Sequence, residues 1–239
     1  MLLYYIRHGF PTYNPDCLTP LGKRQAEAVG KRLAMHGIDR IFSSTSQRAI
    51  ETAEPLSEMV RKEIELLDFA NEKHAGADFF VTDKDGNRNW VGNLPFFREI
   101  CSRPDFKKLG MDWYTHPAFK DYTFESGIKR VQDEADKFLE GLGYKHIREE
   151  GRYEIINPND QKIALFAHAG FGQAFMSAIL DVPYPEFAIK FGMRHSGVTV
   201  INFVEKRGMC IPFVLTYSEG AHLYMENLPT EYDDSGMRI

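Results

Sequence analysis

Two histidines and two arginines are the residues whose types and placement point to chemistry. Arg7-His8-Gly9 follows directly on the apolar run Leu2-Leu3-Tyr4-Tyr5-Ile6, and His168-Ala169-Gly170 follows directly on Ile163-Ala164-Leu165-Phe166-Ala167. Arg48 lies just beyond Ile41-Phe42-Ser43-Ser44. A neutral imidazole is a nucleophile or a proton carrier near pH 7, and guanidinium forks match phosphate oxygens two at a time. If the apolar runs are neighbouring parallel strands, the four groups gather in one small volume beyond the strand ends, where open α/β sheets bind ligands. Helix N-termini after His168 and near Ser46 would offer backbone N–H groups to the same anion. The chemistry this implies is the binding and transfer of a phosphoryl group. Each residue alone has a plainer reading: a structural histidine after a strand, a surface arginine, a loop-shaping Asn14, a solvated Glu72. Their conjunction is what argues for a site.

The elements that must position these residues are legible in part. Leu2–Ile6 reads as a buried strand, and Thr19-Pro20 as an N-cap followed by proline at the first helical position. Ala26, Val29 and Leu33 give that helix an apolar face before Gly37 closes it. A second strand at Ile41–Ser44 leads to a helix capped by Thr45 or Ser46, carrying Ala49, Ile50, Ala53, Leu56 and Val60, with Arg48 in its first turn. Ile64–Leu67 is a weaker strand ahead of Asn71-Glu72-Lys73-His74. Between Gly76 and Phe124 the periodicity dissolves among aromatic residues, prolines and glycines, which predicts an ordered insertion over the sheet's edge. Ser126–Leu142 recovers helical spacing, and residues 143–161 read as a polar connection. Ile163–Ala167 is the clearest buried strand, followed by a helix with Phe171, Ala174, Phe175, Ala178 and Ile179. Residues 198–204 and 211–217 read as two closing strands, the second at an edge because of Pro212.

Composition sets outer limits. The chain has 239 residues, 43% hydrophobic and 26% charged, which suits a globular α/β protein and excludes wholesale disorder. No apolar run approaches the roughly 20 residues of a membrane span, and the start runs into Arg7-His8 without signal-peptide character, so a cytoplasmic protein is expected. The 29 basic and 34 acidic residues give a net charge of −5, which argues against a nucleic-acid partner. Cys17, Cys101 and Cys210 are odd in number and unpaired in spacing, suggesting neither disulfides nor a cysteine zinc site. With no histidine pair at i, i+4, no metal is expected, and His36, His116, His146 and His222 read as surface residues.

Arg7-His8-Gly9 with Asn14, Leu18-Thr19 with Gly22 and Gln25-Ala26, Ser43-Ser44 with Arg48-Ala49 and Thr52-Ala53-Glu54, and the later His168 together resemble the histidine phosphatase superfamily, which includes the cofactor-dependent phosphoglycerate mutases. The resemblance implies one domain over residues 1–239, with an inserted lid at about 77–124. The fold it implies is a three-layer α/β sandwich with a mostly parallel sheet and helices on both faces. It implies that His8 becomes a phosphohistidine, that Arg7, Arg48 and His168 bind the phosphoryl group, and that Asn14 and Ala169 contact the substrate. Asn71-Glu72 with His74 and Gly76 resembles the family segment whose glutamate protonates the leaving oxygen. Glu125, before Ser126, is a rival acid. Phe10-Pro11 replaces the acidic and hydroxyl residues that often follow the triplet, and the paired arginines of the glycolytic mutases are absent beyond Gly76. The expected activity is therefore hydrolysis of small phosphomonoesters without a cofactor. A mutase-type phosphotransferase and a non-catalytic phospholigand-binding module are the alternatives.

Overall fold

The computed structural model describes residues 1–206 and 209–230. Its centre is a six-stranded sheet built from β1 (Leu2–Arg7), β2 (Arg40–Ser44), β3 (Ile64–Leu67), β4 (Lys162–Ala167), β5 (Val198–Asn202) and β6 (Phe213–Glu219). In space the order is β6-β5-β1-β4-β2-β3. β1, β4, β2 and β3 run parallel, while β5 is antiparallel to β1 and β6 to β5. This is the expected mostly parallel α/β sheet. Its central strands β1 and β4 read as apolar runs because both faces are covered. β6 is an edge strand, as Pro212 just before it suggests.

Side chains alternate across β1. Tyr4 and Ile6 join a cluster with Val29 and Leu33 of α1 (Pro20–Ala34) and Ala53 and Leu56 of α2 (Gln47–Val60). Leu3 and Tyr5 face the other way, toward α4 (Phe124–Gly141) and α5 (Ala169–Leu180). Period-two burial on a sheet thus places helices on both faces. The N-cap expected at Thr19 is present, its side chain accepting from the Gly22 amide. Among the described residues no helix is long and apolar enough to cross a membrane.

One stretch differs from the sequence expectation. The supposed polar connection after α4 holds two strands, Tyr144–Ile147 and Arg152–Ile155, in a separate four-stranded sheet with Glu205–Lys206 and Met209–Cys210. The region beyond Gly76 is locally ordered, as its aromatic content predicts, and its elements are short. α3 (Glu72–Phe79) is followed by a hairpin of Phe80–Thr82 and Arg88–Trp90, then by short helices at Pro95–Cys101 and Pro104–Lys107. Helices of four to seven residues are too short to display a 3.6-residue period, which is why their pattern is invisible in sequence. The buried rings of Phe97, Trp113, Phe119 and Phe124 pack on one another and on Tyr184, and the cluster is continuous with the core under the sheet.

Candidate active site

β1 and β4 are parallel neighbours with Arg7 level with Ala167, so the residues that follow them emerge side by side at one end of the sheet. The His8 and His168 rings lie 5.2 Å apart, and both residues are essentially excluded from solvent. β2 ends at the same edge and delivers Ser44, then Ser46 and Arg48 at the start of α2. Gly9 follows His8 where the chain passes over the first turn of α1. A Cβ there would sit 2.6 Å from the Gly22 carbonyl oxygen, and one at Gly22 would meet the Phe10 carbonyl, so both positions need glycine for close approach.

The His8 Nδ1–H donates to the Gly9 carbonyl at 2.7 Å, which leaves the Nε2 lone pair unprotonated. Burial, then the neighbouring His168, Arg7 and Arg48, hold its pKa well below the ordinary 6.5, so the ring is neutral. Arg7 is buried and donates to the Met193 carbonyl. His168 is held on all sides. Its Nε2 meets the Ser44 hydroxyl at 2.8 Å and that of Ser46 at 3.1 Å, while its backbone N–H and carbonyl both bond the Tyr5 hydroxyl. A guanidinium only donates, so Arg48, 3.1 Å from His168 Nδ1, fixes that nitrogen as an acceptor. Burial, Arg48 and Arg7 depress the pKa of this ring too.

Glu72 opens α3, which is capped by the Asn71 side chain. Its Oε1 accepts from the Phe171 N–H at 3.1 Å and its carboxylate also meets the Gly170 N–H, at the positive end of α5. Oε2 lies 3.2 Å from His168 Nδ1. With that nitrogen an acceptor, the contact is attractive when Oε2 carries a proton. Burial raises the Glu72 pKa above 4.5, against the opposing pull of Arg48, the two amides and Arg7, in agreement with that geometry. Gly170 makes the approach feasible, because a Cβ there would strike the Trp90 ring at 2.4 Å and Glu72 Oε1 at 2.7 Å.

Arg7, His8, Arg48, Glu72 and His168 are thus brought together, and Ala169 opens α5 beside them. Asn14 is not. It is exposed in the Pro11–Leu18 hairpin, from which Asp16 reaches in instead to bond Arg48 Nη1 at 2.7 Å and the Gln47 amide. Glu125 is also elsewhere, exposed and paired with Lys129. The helix N-termini expected to greet an anion are both taken by carboxylates, Glu72 on α5 and Asp16 on α2. His146 and His222 are corrections as well. His222 is buried and bonded to Ser196, and the His146 side chain is wholly enclosed between Asp136 and Asp181.

Sequence reasoning missed Asp16, Tyr5 and His195, whose ring lies 5.5 Å from that of His8 and whose pKa burial and Arg7 push down to about 2. A signal existed for His195. It precedes β5, and since β5 is antiparallel to β1, residues before the one lie at the same sheet end as residues after the other. The ligand atoms of His8, Glu72 and His168 lie within 4.8 Å of one another, a set able to chelate a divalent cation. Spacing along the chain could not reveal it because three elements contribute. The guanidinium groups of Arg7 and Arg48 beside it favour an anion in the same space.

A cavity of about 490 Å³ shares Arg48 and Glu72 with the site and is lined also by Ser46, Asn71, Tyr13, Phe80 and Trp90. Residues 3–86 match the family described as the histidine phosphatase superfamily (branch 1). A curated relative from Hydrogenobacter thermophilus, whose name assigns it phosphoserine phosphatase activity, is 21% identical over 84% of this chain and 88% of its own. In fold, the chain is similar to a phosphoserine phosphatase mutant from Entamoeba histolytica in complex with phosphoserine, with TM-score 0.58, 19% identity, and 93% and 98% of the two chains covered. It is also similar to a mycobacterial glucosyl-3-phosphoglycerate phosphatase in complex with VO3, with TM-score 0.57, 18% identity, and 91% and 99% covered.

Proposed function

We propose that this chain, whose residues 3–86 carry the signature of the histidine phosphatase superfamily, hydrolyses phosphomonoesters through a phosphohistidine on His8. The observation that carries the reading is the His8 ring itself, with its Nδ1–H donated to Gly9 and its neutral Nε2 turned to account beside two guanidinium groups and a carboxyl. Relatives named as phosphatases of phosphoserine and of glucosyl-3-phosphoglycerate support the monoester class.

In the first half-reaction the Nε2 lone pair attacks phosphorus and the bond to the leaving oxygen breaks. Arg7 and Arg48 hold the equatorial oxygens, where preorganised donors are worth about 2.7–4 kcal/mol each, while His168, expected as a third phosphoryl ligand, spends its Nε2–H on Ser44 and accepts from Arg48 at Nδ1, and so positions that guanidinium. Glu72 gives its proton to the departing alkoxide. In the second, the Glu72 carboxylate takes a proton from water as that water attacks the phosphoramidate, and Nε2 leaves with its lone pair restored. The balance is one water consumed, one alcohol and one phosphate released.

The test is turnover of an aryl phosphate by purified protein, with and without EDTA. Wild type is expected to release phosphate in both conditions, and His8→Ala to release none. Activity abolished by chelation, or a His8→Ala rate equal to wild type, contradicts the mechanism. On 3-phosphoglycerate the expected product is free phosphate, and the isomeric ester would speak for the mutase.

A further inference from the structure

The leaving group is the part of the substrate on which the cradle of imidazoles and guanidiniums is silent, and the walls around Glu72 speak to it. A leaving oxygen that takes the Glu72 proton must lie within hydrogen-bond reach of that carboxyl. The Trp90 ring flanks the same carboxyl on its Oε1 side, since an atom placed at the Gly170 Cβ position would be 2.7 Å from Glu72 Oε1 and 2.4 Å from the tip of the indole. Glu72 and Trp90 also line one cavity, so a leaving group that reaches the carboxyl from that cavity has the indole as a neighbouring wall. Phe80 faces the Trp90 ring edge-on at 5.7 Å and is braced from behind by the Arg88 guanidinium, 5.3 Å from its centre. Tyr13, across the same cavity, is 65% exposed, with Arg48 over its ring.

The cations of the cavity are engaged before any substrate enters. Among its described lining residues the cations are Arg48 and Lys73 and the acids are Asp16 and Glu72. Arg48 is engaged by Asp16 and belongs to the phosphoryl site, while Lys73 is paired with Asp68 at 3.0 Å. No cation of the lining is left over to receive a second anionic group such as the carboxylate of a phosphorylated hydroxy or amino acid. Apolar rings and little surplus charge suit a flat, uncharged aromatic body.

We propose that the site selects monoesters whose leaving alcohol carries an uncharged aromatic ring, seated against Trp90 and Phe80. The inference rests on the phosphatase reading and goes beyond it, since the relatives' names speak of small charged or sugar-bearing esters.

Benzyl phosphate and n-propyl phosphate test it, because both release unactivated alcohols and differ chiefly in the ring. Wild type is expected to show kcat/KM for the benzyl ester higher by about tenfold or more, the scale of one well-formed aromatic contact with its buried area. Phosphoserine should fall below the benzyl ester. Trp90→Leu is expected to collapse the benzyl-to-propyl ratio to within about twofold, and Trp90→Phe to restore most of it, with thermal midpoints confirming that both variants fold. Equal kcat/KM for the two esters, a preference for phosphoserine, or a ratio indifferent to Trp90→Leu would overturn the proposal. Calorimetric binding of the same three esters to His8→Ala separates this from the phosphatase reading. Tighter benzyl ester with no turnover by wild type would sink the catalytic reading alone, and equal affinities would sink the aromatic preference alone.

Discussion

At the level of single residues, the site is an arrangement of proton positions. His8 is neutral because burial and three cationic or imidazole neighbours disfavour its charge, and the Glu72 pKa is raised because its burial outweighs Arg48 and the α5 amides. The signs fix the pH dependence of kcat/KM. Under the proposed mechanism activity requires unprotonated His8, so it is lost only as pH falls through a value well below 6.5. It requires protonated Glu72, so it is lost as pH rises through a value above 4.5. A bell with a displaced acid limb is expected, and Glu72→Gln should remove the alkaline limb while sparing the acid one. An acid limb at the ordinary histidine value would contradict the neutral buried ring. The same variant should lower kcat by about 10²–10⁴ for an alkyl monoester, the usual scale of general acid catalysis, yet far less for a nitrophenyl ester whose oxygen leaves without a proton. Equal losses on both would remove Glu72 from the acid's role. Arg7, His8, Arg48 and His168 were readable in the sequence because each sits at the end of an element with an unmistakable apolar pattern. Asp16 and Tyr5 were not, since one reaches in from a three-residue hairpin strand and the other acts through its hydroxyl from inside a core run.

Among the elements, α4, α5 and the Tyr144–Ile147 strand are tied together by a buried charge cluster. His146 sits with Nδ1 3.0 Å from Asp136 and Nε2 2.9 Å from Asp181, and Arg148 spans the same two carboxylates. Burial opposes the imidazolium, but the hydrogen bonds to Asp136 and Asp181 outweigh it and its pKa is raised. A raised folded pKa means that the stabilisation is complete below 6.5, the unfolded value, and fades as pH climbs through the folded one. The gap in unfolding free energy between wild type and His146→Gln, measured by urea titration, should therefore narrow from pH 6 to pH 9. A gap that widens over that range would refute an imidazolium between two acids. Nothing in the spacing of Asp136, His146 and Asp181 announces this cluster, because its members come from a helix, a strand and a helix end. The strands and long helices were legible for the opposite reason, their pattern being local, whereas the two small strands after α4 have too few residues to show alternation.

For the molecule as a whole, the aromatic segment between α3 and α4 is the part whose placement matters most, because it supplies Trp90 and Phe80 above the site. Its buried rings are continuous with the core beneath the sheet, running from Trp113 and Phe97 through Tyr184 to the residues of α5. We infer that the segment and the sheet form one folding unit, with the segment as a cap. Thermal unfolding should then appear as one transition by near- and far-ultraviolet circular dichroism, and Phe97→Ala should lower it by about 3–5 kcal/mol without splitting it. Two resolved transitions would make the segment an independent module. The composition of this stretch foretold an ordered insertion, while its joining to the main core depends on contacts between residues far apart in the chain, such as Trp113 with Tyr184, and left no trace in the sequence.

The account turns on a covalent bond between phosphorus and one nitrogen. Wild-type enzyme mixed with a slowly hydrolysed aryl phosphate and quenched in alkali, where phosphohistidine survives, should carry one added phosphoryl group on the peptide containing His8, bonded to Nε2, and His8→Ala should carry none. Absence of the adduct at every quench time during steady turnover, or its appearance on His168 or any other residue, would contradict it.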